Sequence, residues 1–287
     1  MKIIKLRVDE EYNNVRDYLL KLGLGKAKIH ELYMNKLVKI DGVVSNFHEK
    51  INPKSKIEIN LTSLEKIDFE PFEKELDVVY EDDYILIVNK PKNMIIYPGD
   101  NEKDTLSNVV ANYYLKTNQN CSVRYIHRID KDTTGLVIFT KDILTNAIMD
   151  QMLRENKIKR TYLAYVYGRL KERKGTIKLA IGKDRHEKNK YMVVKDGELA
   201  ITSYEEIGHN NLYSWLKVNL ETGKTHQIRV HFSSLNHPLL GDVLYGGAKT
   251  FISRPALHSI EVEFIHPYTK EYLKIECPYP DDFKSLW

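Results

Sequence analysis

Beyond residue 77 the chain carries seven short runs of strand character but little helical periodicity to connect them. Tyr84-Ile-Leu-Ile-Val-Asn and Leu136-Val-Ile-Phe-Thr are almost continuously apolar, as strands buried on both faces are. Thr161 to Tyr167, Ile177 to Ile181, Leu212 to Glu221, Leu257 to Phe264 and Tyr272 to Cys277 complete the set. In one of them Leu216, Val218 and Leu220 alternate with Lys217, Asn219 and Glu221, the pattern of a sheet with one wet face. Two amphipathic helices are clearly marked between these runs. One is marked by Leu106, Val109, Val110, Tyr113 and Tyr114, with Thr105 as its cap, and the other by Leu144, Ile148 and Met152. A doubly wound parallel sheet needs more crossover helices than this. The expected fold class is therefore α+β, with a mixed, largely antiparallel sheet and peripheral helices.

A smaller α/β unit is expected over residues 1–60. Tyr12 to Leu22 and Lys28 to Leu37 have helical spacing, and Asp41-Gly42 between two short apolar runs predicts a tight hairpin. Ile57-Glu-Ile-Asn closes the unit. Residues 61–77, with Glu65, Asp68, Glu70, Glu73, Glu75 and Asp77 around Pro71, read as an acidic linker, and 78–287 as the larger domain. Charge divides the same way. The first 60 residues hold 12 Lys and Arg against 8 Asp and Glu, and the other 227 hold 32 against 32, so the whole net charge of +4 sits in the small unit. Such an excess suits a phosphate-facing module, although a packing domain or a plain basic segment has the same composition. Two distant cysteines exclude a disulfide framework and fit a reducing compartment. No apolar run has the length of a membrane span, and no secretory signal core follows Met1, so a cytoplasmic protein is expected.

Several chemistries lack their motif. There is no Gly-rich phosphate loop, no Gly-x-Ser-x-Gly elbow and no paired-histidine zinc motif. His226 and His231 are five residues apart and would diverge on a helix. Neither a cofactor nor a metal is expected. Three segments stand out instead. His127-Arg-Ile-Asp-Lys-Asp-Thr-Thr-Gly135 is a polar loop ahead of a buried strand, suited to a catalytic group or simply to a capped turn. Thr222 to His231 opens a helix that would carry Arg229 inward toward a carboxylate, or leave it on the surface. Lys159-Arg-Thr-Tyr-Leu-Ala-Tyr-Val-Tyr167 spreads Tyr162, Tyr165 and Tyr167 over both faces of a strand, so that a base-stacking ring and ordinary packing are both open.

In their order and spacing these segments resemble the RluA-type pseudouridine synthase family. Asn89-Lys-Pro-Lys-Asn-Met-Ile-Ile-Tyr-Pro98, His127-Arg-Ile-Asp-x-x-Thr-Thr-Gly, Lys159-Arg-Thr-Tyr-Leu-Ala and Gly223-Lys-Thr-His-Gln-Ile-Arg-Val-His look like its motifs, as does Pro238-Leu-Leu-Gly-Asp-x-Leu-Tyr-Gly246. Residues 13–60 more loosely resemble the S-four-type RNA-binding module. The resemblance implies that Asp130 is the catalytic aspartate, that Arg229 pairs with it, and that Tyr162 stacks on the base and is a candidate for removing its proton. It further implies that Arg128 fills the RNA stack when the uridine is flipped out. His127, Lys90, Thr134 and Gln227, inside the same motifs, are expected to bind substrate. The implied partner is structured RNA, large-subunit ribosomal RNA before tRNA, with no cofactor, metal, membrane or obligate protein partner, and the chain is expected to be a monomer. A non-catalytic RNA-binding or ribosome-assembly factor on the same fold is the alternative, while a metal-dependent nuclease lacks the clustered carboxylates. Thr134, Lys224, Asn93 and Tyr97 depart from the usual Ser, Arg, Gly and His of these motifs without touching Asp130, Tyr162 or Arg229.

Overall fold

The basic N-terminal segment folds into helices packed on a small sheet. The computed structural model describes residues 2–99 and 102–286. Strand β1 (Ile3–Arg7) leads to helix α1 (Val15–Lys21), which is capped by Asn14 accepting a bond from the Asp17 amide at 2.8 Å. Helix α2 (Lys26–Met34) follows, with Gly25 at its start and no side-chain cap. Strands β2 (Val38–Ile40), β3 (Val43–Val44) and β4 (Lys56–Asn60) then complete an antiparallel sheet of order β1-β4-β2-β3. The hairpin forms at Asp41-Gly42, both residues having positive φ (47° and 87°), as a tight two-residue turn requires. β1 escapes the sequence pattern because only Ile4 of its five residues is fully buried.

The larger body begins with β5 (Val78–Glu81) and β6 (Ile85–Lys90), then helix α3 (Leu106–Lys116), β7 (Arg124–Tyr125) and β8 (Thr134–Thr140). Helix α4 (Ile143–Arg154) precedes β9 (Lys159–Tyr167), β10 (Lys174–Lys183), β11 (Tyr191–Val193), β12 (Glu198–His209) and β13 (Tyr213–Leu220). Helix α5 (Gln227–Ser234), β14 (Leu257–Ile265), β15 (Tyr272–Glu276) and a short 3-10 helix at Asp281–Leu286 end it. The strands form one sheet in the order β11-β10-β12-β13-β9-β14-β8-β6-β5, with β15 added to β14 and β7 to β8. The β8–β14 pair is parallel and the other pairings are antiparallel, so the α+β architecture is the one expected. Among the described residues no helix is long and apolar enough to cross a membrane.

Strand β9 lies at the centre and is buried on both faces, which sorts its side chains by parity. Tyr162, Ala164 and Val166 enter the main core with Leu216 and Val218, whereas Leu163 and Tyr165 pack on the other face with Phe283. β12 carries no apolar signature because its inward positions include Thr202 (0% exposed) and Glu206 (2% exposed). A polar residue at an inward position hides a strand from any reading of hydrophobic alternation.

The small unit is docked on the large one. Leu144 of α4 is fully buried in the small unit's core beside Leu19 and Leu24, with Ile148 packed against that cluster. Lys2 pairs with Asp142, the cap of α4, at 3.3 Å. The acidic segment expected to be a linker is held down at its start. Glu65 is 3% exposed and accepts from the amides of Ser122 (3.2 Å) and Ile143 (3.0 Å) and from Arg124 (2.7 Å). Its carboxylate is fixed by three donors, so acidity here serves attachment as well as separation. Leu144→Ala should cost about 2–5 kcal/mol in urea denaturation and speed proteolytic release of the first 60 or so residues; an unchanged digestion pattern would show that the seam holds without it.

Candidate active site

Residues 127–130 lie in the loop ahead of β8, and their burial alternates. His127 and Ile129 are buried, Arg128 is exposed, and Asp130 is half-buried. Arg128 and Asp130, with part of Ile129 between them, line a cleft together with Thr133, Tyr162, Leu220, Lys224, His226, Gln227, Ile228, Arg229 and Leu257. The loop turns back at once, with the Thr133 amide bonded to the Asp130 carbonyl at 3.1 Å. Gly135 then enters β8 at φ 108°, where a Cβ would overlap the Ser259 carbonyl of β14, so the strands meet at this point only through glycine.

Arg229 comes from α5, which starts just after β13 with His226 at its cap in the left-handed region (φ 57°). Its Nη1 donates to Asp130 Oδ2 at 3.0 Å. Its Nε and Nη2 donate side-on to Asp242 Oδ2 and Oδ1, at 2.7 and 2.9 Å. The Tyr245 ring lies 4.9 Å from the guanidinium carbon. Burial alone would lower the arginine's pKa; the bonds and charges of Asp242, and then Asp130, outweigh it and hold the value above normal. His226 Nε2 is 3.8 Å from Asp130 Oδ2, and its Nδ1 is 2.8 Å from the Tyr245 hydroxyl. Burial chiefly keeps this imidazole's pKa low, against the pull of Asp130. Tyr162, 3% exposed, forms part of the cleft wall, and burial raises its phenol pKa.

Asp130, Arg229, Tyr162 and Arg128 are thus brought together, and the other expected site residues are placed differently. Gln227 reaches the cleft, but its amide is engaged by Thr222, the Lys224 amide, the Ile201 carbonyl and Thr202. Lys90, His127 and Thr134 lie behind the loop rather than in the cleft. Lys90 is fully buried, and its ammonium donates to the carbonyls of Pro91, Met94 and Lys131 at 2.8, 2.8 and 2.9 Å. Burial pushes its pKa down to about 7, and it ties the Asn93 turn to the residue next to Asp130. Asn93 holds φ 58° there, a conformation asparagine tolerates in place of glycine. Thr134 bonds His258 Nδ1 at 2.8 Å and Arg254 Nη2 at 3.3 Å, while Arg254 also grips the Asp132 carbonyl and pairs with Asp282. His127 is itself buried. Neither of its nitrogens has a hydrogen-bond partner among the described residues, and burial, reinforced by Arg160, pushes its pKa down to about 3.

Asp242, Tyr245 and His226 lie within the quoted motifs but are given no role by the sequence reading. The first two stand in the Pro238–Gly246 motif, and a carboxylate within a glycine-rich turn was the available signal. The described residues contain no group of three His, Cys, Asp or Glu side chains arranged to hold a metal ion. What the cleft offers is one carboxylate with a free oxygen, one fixed cation, a buried ring and an exposed guanidinium. Such a set can position and polarise a flat heterocycle on a ribose, and it can supply a nucleophile or base.

The sequence profile described as RNA pseudouridylate synthase matches residues 84–234. The RNA pseudouridine synthase YhcT of Bacillus subtilis is 38% identical over 92% of this chain and 89% of its own. Ribosomal large subunit pseudouridine synthase D of Escherichia coli is 32% identical over 91% of this chain and 85% of its own. The solved human RNA Pseudouridylate Synthase Domain Containing 1 is 24% identical, covers 74% of this chain and 87% of its own, and superposes with a TM-score of 0.61, a likeness of fold.

The buried His127 makes the site acid-sensitive in a defined direction. Its folded pKa of about 3 lies below the ordinary 6.5, so between these values the unfolded chain binds the extra proton and stability falls as pH falls. His127→Phe should therefore lose stability less steeply across that window, by up to about 1.4 kcal/mol per pH unit, in urea titrations at stepped pH. Equal slopes would mean that the imidazole is already protonated in the fold.

Proposed function

This chain belongs to the RNA pseudouridylate synthase family, and from that premise we propose that it isomerises a uridine of large-subunit ribosomal RNA with Asp130 acting directly on the nucleotide. The observation that carries this reading is the asymmetry of the Asp130 carboxylate. Oδ2 is held by Arg229, whereas no described residue bonds Oδ1, and the residue is half-buried at the cleft. One oxygen is oriented and the other is available, as a nucleophile or base requires.

The remaining groups fit the steps of such a reaction. A target uridine inside folded RNA has to be extruded, at an unstacking cost of a few kcal/mol. Arg128, exposed and two residues before Asp130, can fill the vacated place in the stack with its planar cation. Asp130 then acts on the nucleotide so that uracil detaches, turns and rejoins through a ring carbon, which gives up its proton while the freed ring nitrogen gains one. Tyr162 can hold the base through this rotation. Burial raises its phenol pKa and so disfavours the phenolate, which supports a stacking and donating role over that of proton acceptor. No step needs a redox partner or a phosphate donor.

Ribosomal RNA is favoured by the name of the Escherichia coli relative and by the small unit. A groove along α1, α2 and the loop at 47–48 is bordered by Arg16, Lys26, His30, Tyr33 and His48, with one carboxylate, Asp17; its cations and rings suit a phosphate backbone with unpaired bases. This groove and the concentration of net charge in the first 60 residues support a docking role for that unit. The chain is read as acting in the cytoplasm as a monomer.

Unmodified transcripts of large-subunit ribosomal RNA and of tRNA, incubated with the protein and mapped for pseudouridine, test the assignment. Wild type should modify a discrete ribosomal site and Asp130→Asn should be inactive; activity in the variant contradicts the role of Asp130, and preferential modification of tRNA contradicts the target. In a separate binding series, Arg16→Ala/Lys26→Ala should weaken RNA affinity and lower the slope of log K against log salt by about one for each phosphate no longer neutralised. An unaltered slope would remove the small unit from the RNA interface.

A further inference from the structure

We infer that Asp242 is a positioning residue for the reaction, acting through Arg229 to present a single N–H to Asp130 and leave that carboxylate's second oxygen open to the nucleotide. This deepens the proposed function and rests on Asp130 being the residue that acts on the nucleotide. A guanidinium is a planar fork, and its preferred contact with a carboxylate is side-on, two parallel N–H bonds to two oxygens. Free to choose, Arg229 would take Asp130 in that way and occupy both of its oxygens. In this site the side-on geometry is given to Asp242 instead, through Nε and Nη2 at 2.7 and 2.9 Å. Asp130 receives one end-on bond from Nη1 at 3.0 Å.

Asp242 is built to win that competition. Its side chain is 1% exposed against 26% for Asp130, so its attraction for the guanidinium is less screened by water. Its backbone is locked in a turn, with its carbonyl accepting from the amides of Tyr245 and Gly247 (3.0 and 2.8 Å). Gly241, just before it, sits at φ 74°, and a Cβ there would overlap the Arg254 carbonyl, so the turn has little freedom to move. The Tyr245 ring lies over the guanidinium, and its hydroxyl is fixed by a bond with His226 Nδ1. The cation is thus held by Asp242 side-on, by Asp130 end-on and by the Tyr245 ring over its face. The same division leaves the two carboxylates and one guanidinium with a net negative charge, so Asp130 is oriented without being fully neutralised.

The decisive comparison uses the full-length protein and single-turnover pseudouridine formation on the RNA it modifies, with Asp130→Asn run alongside. Asp242→Asn should slow the reaction at saturating RNA at least about 100-fold, with the RNA dissociation constant within about threefold of wild type. Asp242→Glu keeps two acceptor oxygens and should recover at least tenfold of that loss, which a merely space-filling role would not produce. The inference is overturned if Asp242→Asn reacts within threefold of wild type while Asp130→Asn is dead, if the Asn and Glu variants are equally slow, or if neither variant folds. An active Asp130→Asn would instead overturn the reading of Asp130 itself.

Discussion

One guanidinium shared unequally between two carboxylates is the interaction on which the rest of this site depends. Arg229 is nearly buried, and a cation there needs compensation close by. Asp242 supplies most of it by a side-on pair, and Asp130 accepts the remaining donor. The three groups come from the loop before β8, the helix after β13 and the turn before β14. The sheet brings them together because β9 pairs with both β13 and β14, and β14 runs parallel to β8. A shift in any of those registers would separate the charges, and the cleft would lose both its cation and its oriented carboxylate.

Behind the cleft a second set of buried polar groups holds the loop itself. Lys90 gathers three carbonyls, one of them next to Asp130, while Arg254 takes the Asp132 carbonyl and Thr134. Buried cations of this kind are costly unless every donor finds an acceptor. Here they fix a stretch of backbone that has no strand partner of its own. Lys90 and Thr134, expected to bind substrate, lie one layer behind the cleft, where their polar groups bond the loop and its neighbours.

Legibility in the sequence followed the physical origin of each signal. The α+β architecture could be read because too few helices separate the apolar runs, a consequence of how parallel strands must be connected. Parity within β9 separates Tyr162 from Tyr165, but which face would hold the cleft depends on α5 and was not readable. β12 was missed because Thr202 and Glu206 stand inward where alternation would demand apolar side chains. His127 and Lys90 were expected at the substrate, and their burial comes from chain direction and from carbonyl clusters that no local pattern encodes. Asp242 was visible as part of a motif, yet its partner lies thirteen residues away on another element. The acidic stretch after residue 60 read as a separator, whereas Glu65 binds it to the larger body because three donors converge there.

The forked shape of Arg229, and not its charge alone, organises the site. Arg229→Lys keeps a cation between the carboxylates but can no longer serve Asp242 side-on and Asp130 end-on at once. Measured as single-turnover pseudouridine formation at saturating RNA, the variant should be slower by at least about 100-fold with RNA affinity essentially unchanged. A rate within threefold of wild type would show that a point charge suffices, and would contradict the role given to the fork.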